Sequence, residues 1–280
     1  MTPPHPISAG EFLLSAWDFD PSVVVGCIAL LALYLFAIDF RLDRKTALFF
    51  AGVCLMFLAL VSPLDPLSDN YLFSAHMLQH LILLLATPPL LLLGIPRELA
   101  QALLRPRWTR AIQSVLGRAP VAWIIGNVAL WLWHLPVLYN AALAAENVHI
   151  FEHLCFLVSA TIFWWPILAP IAALRLPPLT ALAYLIFAYL SNSLLGIIFT
   201  FASVGFYPAY LKPAAAGGIL PLLRDQWGLS PQSDQQLGGL LMWVGASPVF
   251  LAAVLQVVAR LYRESGGALA AQPQPAPVAR

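Results

Sequence analysis

The chain has 280 residues, 61% of them apolar and 10% charged, against about 45–50% and about 25% in ordinary soluble domains. Together with several apolar runs of span length, this excludes a soluble domain and predicts a polytopic membrane protein. A net charge of +1, with no Lys/Arg cluster interleaved with aromatics, offers nucleic acid no surface.

Residues 1–21 read as an outer leader. Its first twenty carry Glu11, Asp18 and Asp20 and no Lys or Arg, so no cleavable signal peptide is expected. Seven spans follow, at about 22–40, 46–62, 71–95, 120–135, 148–173, 179–203 and 237–260. Pro63, Pro66 and Asp65 close the second, and Pro136 the fourth. No internal repeat is evident, so 22–263 is predicted to be one all-α transmembrane domain with seven helices. Residues 264–280, mostly Gly, Ala, Pro and Gln, read as a disordered cytoplasmic tail. Cys27, Cys54 and Cys155 stand singly in apolar segments and read as small core residues rather than a disulfide framework.

Orientation follows from the basic residues. Twelve of the fourteen Lys and Arg fall in the loops after spans one, three and five or in the tail, and only Lys212 and Arg224 lie opposite. The N-terminus is therefore expected outside and the C-terminus in the cytoplasm. The basic stretch 97–118 is expected to be an amphipathic helix on the inner leaflet. HLPVLYNAALAAEN reads as a short interfacial helix. The outer loop 204–236, with GFYPAY and Trp227, is expected to place its aromatics in the headgroup layer.

This topology sorts the histidines. His76 and His80 lie in the first turns of span three, His149 and His153 in those of span five, and His134 ends span four. Five of six therefore share one outer layer, and only His5 stands apart. Residues four apart on a helix share a face, the spacing at which two imidazoles hold one metal ion. Ionisable groups within spans are costly, so each is a candidate functional residue. The bland alternative is one interhelical hydrogen bond per histidine. If the layer is a site, His76, His80 and His153 converge on one point, with His149, nearest the surface, the least involved. Glu152, about 100° round the helix from His153, is expected to orient a neighbouring histidine. Met77 and Met242 are thioethers suited to Cu(I), though such residues usually fill cores.

Asp65 and Asp69 stand just above span three. Pro88 and Pro89 predict a kink in it. Ser191, Asn192 and Ser193 are expected to hydrogen-bond between helices. Asp234, Gln235 and Gln236 precede span seven, where capping is the simplest role and an outer gate or support for a metal site the other.

HMLQHLILLLATPPLLLLGIP, WLWHLPVLYNAAL, VHIFEHLCFL and DQQLGGLLMWV together resemble the CtaG-type (caa3-type) cytochrome c oxidase assembly factors of bacteria. The resemblance implies a multi-pass protein of the cytoplasmic (inner) membrane, needed to make active haem–copper oxidase and acting at its copper centre. It also implies that His76, His80, His134, His149, His153 and Asp234 belong to a shared pattern. The expectation is thus a non-enzymatic assembly factor that binds copper at the outer histidines and serves an oxidase subunit. A membrane enzyme with histidine-bound metal and a b-type haem protein are the alternatives, with zinc a further candidate ion.

Overall fold

The computed structural model describes residues 8–211 and 218–270; His5, Lys212 and the last ten residues of the tail lie outside them. Among the described residues every regular element is helical. Ser8 and Glu11 form a reciprocal cap on α1 (Ala9–Ser15). Asp20 caps α2 (Pro21–Ala37) and Asp43 caps α3 (Arg44–Val61). In the leader, Phe12 of α1 is buried in a cluster with Leu72, Ala75, Ile219, Leu222 and Leu223.

The short α4 (Leu64–Asn70) leads into α5 (Phe73–Leu81), which passes through a π-helical turn at Ile82–Ala86 into α6 (Thr87–Gly94). Here the expected proline kink takes the form of that turn. Pro88 has no N–H to offer the Leu84 carbonyl four residues back, and the Trp164 indole N–H donates to it instead, at 3.0 Å.

The stretch 97–118 is two helices rather than one, α7 (Arg97–Leu103) and α8 (Arg107–Leu116). Pro106 separates them, since the residue before proline is disfavoured in the helical region. Trp108, Ile112 and Val115 are exposed along one side of α8, as an interfacial helix requires. α8 meets α9 (Ala119–Trp133) at 74°. Then come α10 (Pro136–Ala144), the helix expected in HLPVLYNAALAAEN, α11 (Glu146–Leu168) and α12 (Pro178–Phe201). Last come α13 (Pro231–Leu240), a second π turn at Leu241–Gly245, and α14 (Ser247–Ala270). α14 runs past Arg263, where the sequence suggested order would end.

Five helical stretches are long and apolar enough to cross a membrane, and six if the bent α8–α9 pair counts as one. The seven-span expectation also counts α2, which is apolar but only 17 residues long. The main core joins α5, α6, α9, α11, α12 and α14, and a second cluster packs α2 and α3 against the π turn and α6. Backbones touch where glycines allow it. A Cβ on Gly196 of α12 would lie 2.8 Å from the Gly239 carbonyl of α13.

A buried imidazole–carboxylate layer

α5 and α11 each carry two histidines one turn apart, and the fold brings the pairs side by side. Ring centroids are 4.1 Å apart along each helix, between His76 and His80 and between His149 and His153. Across the helices they are 5.4 Å for His76–His149 and 5.9 Å for His80–His153. His134, which ends α9, lies 5.4 Å from His80. All five expected histidines therefore share one layer. His76, His80, His134 and His149 are buried, and His153 is half-buried at its edge.

Their hydrogen bonding is sparse. His134 Nδ1 lies 2.7 Å from the Leu130 carbonyl; a carbonyl only accepts, so Nδ1 carries the proton and Nε2 is left bare. Both ring nitrogens of His76 and His80, and both carboxylate oxygens of Glu152, are buried without a hydrogen-bond partner. Glu152 Oε1 is 3.7 Å from His80 Nε2, too far for a hydrogen bond. Of the fifteen buried side-chain nitrogen and oxygen atoms left without partners among the described residues, nine belong to these five histidines and Glu152.

Two sets of ligand atoms lie close enough to surround one ion. His76, His80 and Glu152 form one, with all ligand atoms within 4.8 Å of one another, and Asp69, His76 and His149 form the other within the same limit. Glu152, expected only to orient a histidine, thus sits among the ligand atoms themselves. His149, expected to be least involved, joins a set, while His153 and His134 belong to neither. Met77 and Met242 line a cavity of about 50 Å³ beside the layer, together with His80, His134 and Asn192.

The surroundings hold this layer in place. Asp234 does not cap its own helix, where Ser230 takes that role. Its carboxylate accepts from Phe73 N at 2.9 Å, Ser74 N at 3.0 Å and Ser74 Oγ at 2.6 Å, and so caps α5 from 160 residues away. Neighbouring Gln235 donates to carbonyls at the end of α12, those of Phe199, Ala202 and Ser203. Gln236 is exposed. Asn192 Nδ2 donates to the Met242 carbonyl at 2.5 Å and Trp131 Nε1 to Ser191 Oγ at 3.0 Å, as expected of polar groups in spans, while Ser193 Oγ finds no partner.

Sequence reasoning missed a tyrosine roof. Tyr139 of α10 stacks on Tyr207 at 3.8 Å and shares a 2.9 Å hydrogen bond with Tyr210, and its ring lies 4.9 Å from His76. Tyr210 donates to the Ser68 carbonyl and Tyr207 to that of His134. GFYPAY therefore turns its tyrosines inward, where their hydroxyls find partners, while Trp227 stays half exposed. Gln79, fully buried, was also missed. Its amide donates to Asp65 Oδ1 at 2.7 Å and to the Ala59 carbonyl at 2.9 Å. Burial first, then the Asp69 carboxylate, push the Asp65 carboxyl up to about 7, against that hydrogen bond.

Apolar helices of span length around a buried layer of imidazole and carboxylate define a multi-pass membrane protein with a candidate metal centre. No curated protein and no solved structure matches the chain. A family model does, over residues 32–264, and the chain belongs to that family, the cytochrome c oxidase caa3 assembly factors (Caa3_CtaG).

Proposed function

We propose that the chain binds copper at His76, His80 and Glu152 and supports maturation of the copper centre of a haem–copper oxidase. One observation carries the reading: three metal-ligating side chains on two helices are fully or almost fully buried, close together and without hydrogen-bond partners. An unpaired polar group inside a membrane protein is costly, and an ion satisfies all three at once. Two imidazoles and a carboxylate suit copper(II), zinc or iron. Membership of an oxidase assembly family favours copper among them. His134, His149 and His153 surround the set, and Met77 and Met242 at the adjoining cavity offer the softer donors that Cu(I) prefers. The ion is cargo, held without turnover and passed on to an oxidase subunit.

In this reading 22–263 spans the cytoplasmic membrane seven times, with α2 and the α8–α9 pair supplying the spans beyond five. The N-terminus and the histidine layer face out, and the basic segment that includes α7 and α8 faces the cytoplasm. Copper per purified protein and oxidase activity in cells test it, in His76→Asn and Glu152→Gln at matched membrane levels. Both readouts are expected to fall tenfold or more. Variants that keep full copper and full oxidase activity refute the site.

A further inference from the structure

The two ligand sets share His76, and they differ in their access to water. His76, His80 and Glu152 are all buried. In the other set the Asp69 side chain is 32% exposed, on α4, outside any helix of span length. Its Oδ2 lies 3.4 Å from His149 Nδ1. Its other oxygen is 2.8 Å from the Ser68 hydroxyl, which also reaches Gln79 Oε1 at 3.0 Å. Asp69 thus stands at the level of the layer, with one oxygen turned to His149 and a face open to solvent. His149 keeps a buried, unpartnered Nε2, and His76 keeps both nitrogens bare.

We infer that Asp69, His149 and His76 form a second metal position, which receives a divalent cation from the aqueous side and delivers it to His76, His80 and Glu152. A carboxylate and two imidazoles suit a borderline divalent cation such as Cu2+ or Zn2+. Because His76 belongs to both sets, the ion moves inward by exchanging Asp69 and His149 for His80 and Glu152, one turn deeper on α5, while keeping one ligand throughout. The bond to His76 persists, each ligand lost is matched by one gained, and no electron is transferred. This rests on the inner set being the holding site, as proposed above.

The two positions leave different kinetic marks. A residue on the path lowers the barrier in both directions, so its loss slows loading and release alike. A residue of the holding site does the opposite to release, because removing a ligand from a bound ion speeds its escape. The test uses the full chain in nanodiscs, with Cu2+ as the added ion and a chelator to draw it out. Asp69→Asn is expected to slow loading and release each by tenfold or more, and Asp69→Glu, which restores the carboxylate, to recover most of both rates. Faster release from Asp69→Asn, or unchanged rates, overturns the receiving position. His76→Asn and Glu152→Gln, measured alongside, are expected to retain little Cu2+. If they retain it as the unaltered protein does, the holding site itself falls, an outcome distinct from failure at Asp69 alone. Should Asp69→Asn not fold, His149→Asn reports on the same position, with slower exchange supporting it and faster release opposing it.

Discussion

Polar side chains buried in the histidine layer and those buried in the rest of the bundle are treated differently. Away from the layer, Tyr34 donates to the Gly94 carbonyl, Trp164 to Leu84, Tyr184 to Phe163 and Asn192 to Met242. Two of these carbonyls, Leu84 and Met242, lie in π turns, where the helical ladder is disturbed. Exceptions there are scattered, such as Thr87 Oγ1, Ser193 Oγ and a few indole N–H groups. In the layer His76, His80 and Glu152 have no partner and stand together. The fold satisfies most of its buried polar groups, yet leaves these three bare side by side.

Replacing each kind of group breaks or sharpens that contrast. The largest effect is expected from Glu152→Met, which removes a buried unpaired carboxyl at similar volume. Copper retention should fall tenfold or more, while the metal-free protein gains about 1–3 kcal/mol of stability. Copper analysis and thermal unfolding in detergent check both; a loss of stability would place Glu152 with the cohesive groups. Asp234→Asn comes next. It keeps the side chain but removes the charge on the first turn of α5, at a cost of about 0.5–2 kcal/mol, with a few-fold loss of copper affinity because that helix carries two ligands. Trp164→Phe is expected to cost about 0.6–2 kcal/mol and leave copper content alone. A matching loss of copper would end the distinction between the regions.

A separate effect concerns pH. The carboxyl of Asp65 titrates near 7 in the folded chain and near 3.9 when unfolded. The folded form thus holds its proton more tightly, and this contribution to stability is complete below about 4 and lost as pH rises through about 7. Asp65→Asn should flatten the dependence of thermal stability on pH between those limits. Curves for the two proteins that stay parallel throughout would refute the assignment.

Much of this was readable beforehand. Apolar runs located the five or six helices of span length, because a bilayer demands length and hydrophobicity that sequence records directly. The paired histidines were legible because i,i+4 spacing fixes a shared face. Partners set by tertiary packing were not. Asp234 precedes the span expected at 237–260 and so looks like its cap, but the helix it serves begins 161 residues earlier. Glu152 looked like a support because its angle on α11 was compared with His153, whereas its position is set by His80 on another helix. Asp69 carried a usable signal, a carboxylate seven residues before His76. Tyr207 and Tyr210 carried none, since aromatic residues in an outer loop suit the membrane interface equally well.

The neighbouring helices α5 and α11 have one further consequence. Among the described residues no hydrogen bond joins Phe73–Leu81 to the first turns of α11; the first strap between the two strands of chain is Trp164 on the Leu84 carbonyl, deeper in the bundle. Above that strap they face each other through the rings of His76 and His149 and of His80 and His153. On the proposed function, an ion held by His76, His80 and Glu152 would lace them together. Cargo and stiffness then become the same variable, and an oxidase subunit resting on this end of the bundle would meet a firmer surface when the protein has copper to give.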